Sequence, residues 1–436
     1  MVYHADRPAY NHRSARYFFV DPTPLRWSSR CSVWEPDENT MNRELQRKRL
    51  PTPLPLFDAG PNHPMATPNE SNRRDFLTGR AAIRVVEGLA DRAAEVVPEP
   101  PLTAARREPS CLLEISRRAM ATDFQVYLHA RQHQKGPDAA MKALDLVETL
   151  EDQMTVYREH SEVMNINRRA VRQAVVIEAG LFGLLEVALD LYRDTAGAFD
   201  ITSGPLSKVW GFYRREGAVP DPEVLQQALS RVGSRWIELD RQQQTIRFLQ
   251  PTLEINLNSI GKGYALDRCG QSLAEAGVQD FLIHGGQSSV LAGGSQPVHA
   301  ESQPGWMVAL KHPRKPNQRL GQLRLVDRAV GTSGTRAQFF YHQGRRYGHV
   351  LDPRTGQPTE GVLSATVIAP SAALADALST AFFVMGPEKV TEFCERHPEV
   401  SAILVCPSQR RGGFDIHTIA LEDDVWIPAT GATSST

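Results

Sequence analysis

Gly331-Thr332-Ser333-Gly334, Tyr347-Gly348-His349-Val350-Leu351-Asp352-Pro353-Arg354-Thr355-Gly356 and Ala375-Asp376-Ala377-Leu378-Ser379-Thr380-Ala381-Phe382 follow one another in a single stretch, and their reading organises the rest of the chain. The second piece reads as the end of a strand entering a tight turn. Pro353 fixes φ behind Asp352, and Gly356 tolerates positive φ where the turn closes. His349 then stands just before the turn, at a strand end, where a side chain can reach a pocket. The third piece reads as a helix, N-capped by Ser371 and stopped by Gly386-Pro387. Asp376 and Thr380 are spaced i, i+4 and share one face of it. A carboxylate and a hydroxyl are hard oxygen ligands, suited to Mg²⁺ and not to a soft metal. Taken alone, the pair reads first as a solvated charge beside a packed hydroxyl. Its company with the two upstream turns makes it a metal-site candidate. The small residues around it (Ala372, Ala373, Ala375, Ala377, Ala381) leave room for another backbone to come close.

The chain's 436 residues suffice for one large domain or two. Its 41% hydrophobic and 23% charged content is that of a soluble globular protein. A net charge of −1 gives no electrostatic case for nucleic acid or an anionic membrane. The five cysteines are scattered without a C-x-x-C pair, which argues against a zinc site or a disulfide framework. No stretch is apolar for long enough to span a bilayer.

Residues 1–110 differ from the rest. They are rich in Arg and Pro and poor in periodic apolar positions, so they read as a low-order region. Within them, residues 71–80 carry the twin arginines Arg73-Arg74 followed by Asp75-Phe76-Leu77, which resembles a Tat export signal. The next segment holds Arg84, Glu87, Asp91, Arg92 and Glu95 where a cleavable signal needs an uninterrupted apolar run. The segment reads as a degenerate remnant, Met65 is a candidate start, and cytoplasmic or exported localisation both stay open.

The core reads as residues 111–423, with 424–436 as a flexible tail. Leu112 to Ile115 and Asp123 to His129 form a hairpin-like pair around Met120-Ala121-Thr122. A helix over about 138–153 follows, then Tyr157 and a helix opened by Ser161-Glu162 with Asn167 near its end. A helix over 179–195 leads to Gly197-Ala198-Phe199-Asp200-Ile201-Thr202. Asp200 there reads equally as a ligand contact or as the cap of the following turn. Leu253 to Asp267 reads as strand, glycine turn and helix, with Lys262 at the helix N-terminus, a natural phosphate cradle. It is neither a P-loop nor a dinucleotide fingerprint, because the required glycines are absent. Phe281-Leu282-Ile283 is a short buried strand, His284-Gly285-Gly286 a bend with a satisfied ring at His284, and Ala402 to Cys406 the last strand.

Six separated blocks, taken in order, resemble the ApbE family of FAD:protein FMN transferases. They are Met120-Ala121-Thr122, the Tyr157/Ser161-Glu162-Val163/Asn167 block, the Ala198-Phe199-Asp200 turn, Lys262-Gly263-Tyr264-Ala265-Leu266-Asp267, the His349-to-Gly356 turn and the Asp376-to-Ala381 helix. The resemblance implies an α+β fold of the T-fold-like ApbE architecture over most of the chain beyond the N-terminal region. It also implies transfer of the FMN half of FAD to a Thr or Ser hydroxyl of an acceptor protein, with Mg²⁺ and release of AMP. Carried over to this chain, it places Met120, Tyr157, Asn167, Ala198, Phe199, Asp200, Asn256, Lys262 and Val350 at FAD. Asp376, Thr380 and the Ser259 carbonyl fall on Mg²⁺, and His349 is the candidate base for the acceptor hydroxyl. The acceptor implied is a redox-complex subunit. Departures from the family pattern are Asn256 where an Asp is usual, Ser259 where Ala or Gly is common, Ile283-His284-Gly285-Gly286 in place of Asn-Ile-Gly-Gly, and Ala121 in place of Gly. The alternatives from other classes are an FAD pyrophosphatase, with water as acceptor, and a non-catalytic flavin-binding protein.

Overall fold

The computed structural model describes residues 14–19, 111–129, 134–296, 303–315, 317–335, 338–408 and 413–429. The twin-arginine segment and the last residues of the tail lie outside them. Among the described residues no helix is long and apolar enough to cross a membrane.

The framework is one nine-stranded sheet. In chain order its strands are β1 (Ser14–Phe19), β2 (Cys111–Ala119), β3 (Thr122–His129), β4 (Phe281–Gly285), β5 (Ser289–Gly293), β6 (Arg328–Gly334), β7 (Ser364–Ala369), β8 (Ser401–Pro407) and β9 (Phe414–Ile419). The order in the sheet is the same, and every neighbouring pair is antiparallel. All other described elements except the strand Trp426–Pro428, which follows β9, are therefore insertions between adjacent strands. Between β3 and β4 come the helices α1 (Gly136–Met154), α2 (Glu162–Arg169), α3 (Ala179–Asp194), α4 (Gly204–Val209), α5 (Pro222–Leu229) and α6 (Gly261–Glu275). Between β7 and β8 come α7 (Ala372–Met385) and α8 (Pro387–Arg396).

The sheet is covered on both faces. Along β8, Ala402 and Leu404 pack into a core built with the helices, while Ile403 and Val405 pack into a second core with Trp306, Leu323 and Leu325. That second core belongs to a small sheet of Trp306–Lys311, Arg319–Leu325 and Trp426–Pro428. A strand buried on both faces loses the alternation of a half-exposed one. β7, Ser-Ala-Thr-Val-Ile-Ala, is buried at every position and offers no such period.

Several sequence expectations meet the structure closely. Met120 and Ala121 form the β2–β3 turn with left-handed φ of 48° and 57°. Ser161 and Ser371 cap α2 and α7 by accepting from Met164 N at 3.0 Å and Leu374 N at 3.2 Å. Of residues 1–110, Ser14–Phe19 is described and pairs along β2. Other expectations are corrected. Ala402 to Cys406 is not the last strand, since β9 and Trp426–Pro428 follow it, the latter inside the segment read as tail. His284 sits within β4, and its buried Nδ1 lacks a hydrogen-bond partner, so its ring is not satisfied.

Two glycines set how closely α7 approaches. A Cβ on Gly263 in α6 would stand 2.0 Å from the Ala372 carbonyl oxygen, and one on Gly331 in β6 would stand 2.2 Å from that of Ala375. Both obstacles are backbone, which cannot swing aside. Gly331→Ala is therefore expected to cost about 1–3 kcal/mol by forcing α7 off the sheet. Chemical denaturation checks it, and an unchanged midpoint would remove the close-approach argument.

Candidate active site

The close approach carries Asp376 into the molecule, where it is 5% exposed. Its Oδ2 accepts from Gly263 N at 3.1 Å and its Oδ1 from Ser289 Oγ at 3.0 Å. Lys262 Nζ reaches both oxygens, at 3.3 and 3.2 Å. One helical turn on, Thr380 Oγ1 lies 3.2 Å from Ser333 Oγ, which also lies 2.9 Å from Ser379 Oγ. Nearby, Asp267 of α6 accepts from Ala372 N and Ala373 N at 2.7 and 2.9 Å, holding the first turn of α7. Burial pushes the Asp267 carboxyl up to about 6 against these two bonds, and the charge of Asp376 adds to the rise.

His349 follows the hairpin Phe339–His342/Arg345–Gly348. A third small core seats this hairpin: Phe340 and Tyr347 pack on Trp210, Phe212 and Leu351. The turn beyond it is built as its sequence dictates. Gly356 has φ +72° and donates to the Asp352 carbonyl at 2.8 Å, and Trp210 Nε1 donates to the Gly356 carbonyl at 2.8 Å. His349 Nδ1 lies 3.0 Å from the Gln338 carbonyl oxygen. A carbonyl only accepts, so Nδ1 carries the proton and the neutral ring keeps its lone pair on Nε2. Burial lowers the ring's pKa below its ordinary value, opposed by that same carbonyl.

These elements meet in one cleft of about 470 Å³. Tyr157, Ala198, Phe199, Asp200, Asn256, Ser259, Lys262, His349, Val350, Asp376 and Thr380 all line it. Met120 and Asn167 do not. Met120 N donates to Glu151 Oε2 at 2.7 Å, tying the β2–β3 turn to α1. Asn167 works one step back from the cleft. Its side-chain amide accepts from Ile255 N at 2.8 Å and donates to the Ile255 carbonyl at 3.0 Å. Residues 253–257 are thus an extended segment held by a side-chain amide, not the strand the sequence suggested. This presents Asn256, which also donates its N–H to the Ile201 carbonyl at 2.7 Å.

Asp200 resolves as a turn cap. Its Oδ1 accepts from Thr202 N, Thr202 Oγ1 and Ser234 Oγ at 2.8, 2.6 and 2.6 Å, and Ser234 N donates to Oδ2 at 3.2 Å. The residue lines the cleft while its carboxylate is committed to the protein.

Asn256 Oδ1 accepts from Asn258 N at 3.0 Å. An aspartate there would keep that bond and free a second, charged acceptor toward the cleft. On the resemblance's expectation that this residue meets FAD, Asn256→Asp should tighten FAD binding by about 1 kcal/mol, several-fold in Kd. Fluorescence titration reads this directly, and weaker binding would show the pocket to be built around the amide.

Sequence reasoning missed Tyr213, Ser289, Ser333 and Gln338. Tyr157, 62% exposed, stacks on Tyr213 with ring centroids 5.1 Å apart, making a flat aromatic surface at the cleft. Tyr213 directly follows Trp210-Gly211-Phe212 in the sequence, an aromatic run that could have pointed to it. Gln338 acts through its carbonyl, which no side-chain pattern reveals.

Fold and cleft together define a class: an α+β protein of T-fold-like architecture with a buried carboxylate, a lysine and a one-sided histidine in a polar cleft. The chain belongs to the ApbE family, whose sequence profile matches residues 120–404, well over half its length. A Haemophilus influenzae protein described as an FAD:protein FMN transferase is 29% identical over 304 residues, covering 67% of this chain and 86% of its own. A Treponema pallidum protein of the same description is 32% identical over 295 residues, covering 64% of this chain and 82% of its own. The crystal structure of apo flavinyl transferase ApbE from Pseudomonas stutzeri superposes with a TM-score of 0.62 at 28% identity, covering 71% of this chain and 94% of that one. The ApbE protein of Thermotoga maritima gives 0.61 at 27% identity, covering 71% and 97%.

Proposed function

We propose that this chain transfers the FMN half of FAD to a Thr or Ser hydroxyl of an acceptor protein, releasing AMP, with Mg²⁺ in the cleft. The observation that carries the reading is the meeting, in one cleft, of a histidine with an uncommitted Nε2, the Lys262–Asp376 pair and an aromatic stack.

The chain's own residues suit each task. The acceptor oxygen bonds to the phosphorus on the FMN side as the anhydride P–O bond breaks. AMP departs with the bridging oxygen, and the hydroxyl proton passes to Nε2 of His349. Lys262 supplies positive charge toward the pyrophosphate. Tyr157 and Tyr213 offer a face on which a flat ring can stack.

The residues present fit Mg²⁺. Asp376, Thr380 and the Ser259 carbonyl, all from residues that line the cleft, would offer an all-oxygen donor set, which hard cations prefer. Each Asp376 oxygen accepts one neutral donor, and its remaining capacity is turned to the Lys262 ammonium, a cation standing beside the carboxylate. The set rests on a single carboxylate: among the described residues no group of three or more His, Cys, Asp or Glu comes together as a metal site. Bound there, Mg²⁺ would neutralise pyrophosphate charge and polarise the phosphoryl oxygen.

Incubation with FAD and Mg²⁺, with and without a hydroxyl-bearing acceptor protein, tests the reading. AMP release coupled to flavin fluorescence on the acceptor band supports it. AMP release without acceptor makes the chain a pyrophosphatase, and bound FAD without AMP makes it a binding protein.

A further inference from the structure

Asp267 stands outside the residues that line the cleft, and its carboxylate is turned to the start of α7. Its Oδ1 accepts from Ala372 N at 2.7 Å and its Oδ2 from Ala373 N at 2.9 Å. One turn earlier on the same face of α6 is Gly263, whose N–H donates to Asp376 Oδ2 at 3.1 Å. One turn after Ala372 on the same face of α7 is Asp376 itself. The contacts are reciprocal: each helix lends one carboxylate to first-turn N–H groups of the other. We propose that Asp267 is the positioning residue of the cation site, setting the register of α7 against α6 and so the place of Asp376 and Thr380 in the cleft. The inference rests on the Mg²⁺ reading above.

Three observations carry this role beyond that of a helix cap. The start of α7 is already capped, since Ser371 Oγ accepts from Leu374 N at 3.2 Å. A second acceptor there adds placement, not helix. The start of α6 has no side-chain cap at Ile260, and Asp376 takes that part from across the interface. Any shift of α7 therefore moves the candidate ligand and uncaps α6 together. Next, the helices have no slack between the two contacts. A Cβ on Gly263 would stand 2.0 Å from the Ala372 carbonyl oxygen. Sliding α7 by one residue means about 1.5 Å of rise and about 100° of rotation. That would break both bonds of Asp267 and turn Asp376 away from Lys262. Finally, the charge of Asp267 is held against the preference of the fold. Burial, with the charge of Asp376 adding to it, pushes the carboxyl up to about 6. Protonation favours the folded state below that value, so at neutral pH the ionised group costs stability instead of supplying it.

Asp267→Asn tests the role. The amide keeps the size but accepts through its oxygen alone, so an N–H of α7 faces the NH₂ group and loses its partner. Calorimetric titration of the full chain with FAD bound should show the Mg²⁺ Kd raised by about 10-fold or more. The FAD Kd measured without Mg²⁺ should stay at the wild-type value. Hydrogen exchange in the metal-free chain should quicken at the first turn of α7, and excess Mg²⁺ should restore transfer. Asp267→Glu keeps the charge and adds a methylene where the helices have no slack, so it too should weaken Mg²⁺ and not FAD. Wild-type Mg²⁺ affinity in both variants overturns the proposal. Joint loss of Mg²⁺ and FAD affinity, or a chain that no longer folds, overturns it as well, because Asp267 would then serve the fold alone. A wild-type chain that holds FAD but no Mg²⁺ ends the metal reading and this inference with it. One that binds both and transfers nothing ends the transferase reading, while the Mg²⁺ titration still decides the role of Asp267.

Discussion

His349→Ala is expected to lower FMN transfer by about 10²–10⁴-fold while FAD binding is retained. The ring's placement supports so large an effect. The Gln338 carbonyl holds Nδ1 at 3.0 Å and fixes the tautomer, and Phe212 meets the ring edge-on at 6.4 Å. Because burial depresses the pKa, the protonated ring is disfavoured and the base form dominates at neutral pH. The rate should therefore stay level through pH 7 and fall only as pH drops below the ordinary histidine value of about 6.5. His349→Ala should abolish that acid limb. Single-turnover labelling across pH, paired with FAD titration, checks both points. A variant that loses FAD affinity in step with activity would make His349 a binding residue.

Asp376→Asn is expected to bring Mg²⁺-dependent transfer to background, since it removes the charge that the proposed donor set rests on and keeps the size. The choice of substitution matters. The carboxylate also accepts from Gly263 N and Ser289 Oγ, and an amide oxygen can retain one of those bonds. Asp376→Ala would leave buried donors unsatisfied, at about 1–3 kcal/mol each, so its loss of activity would be mixed with loss of stability. Helix propensity alone favours alanine at this position, but the buried donors of Gly263 and Ser289 outweigh it. Transfer by Asp376→Asn that matches wild type throughout a Mg²⁺ titration would end the metal assignment.

How much of this was legible in the sequence depended on what each residue had to signal. Turns and caps were legible because their chemistry is local: Asp352-Pro353, Gly356, Ser161 and Ser371 do what their residue types favour anywhere. The middle of the sheet was not. β7 is buried on both faces and carries no period, and β5 and β6 are short or glycine-containing. The side chains that carry the proposed chemistry stood out as blocks, while the parts that position them did not. The Gln338 carbonyl, the amide of Asn167 replacing a strand partner, and Ser289 beneath Asp376 are related to the site only through the fold. Asp200 shows the reverse: of the two readings the sequence left open, its carboxylate serves the turn cap. A block can be recognisable because it builds a turn, with its carboxylate never free for a ligand.

Because the sheet runs as an uninterrupted meander, its insertions are separable parts. Lys262 arrives on the insertion between β3 and β4, and Asp376 and Thr380 on the one between β7 and β8. His349, Gly348, Thr359 and the hairpin arrive on the one between β6 and β7. The charged groups proposed for the pyrophosphate and the metal, and the histidine proposed for the acceptor's proton, thus hang from different strand junctions. One can diverge while the other is held constant. A lineage could retune its protein client within residues 335–363 while His349 and Val350, which line the cleft, stay in place and the strand register on either side is left intact.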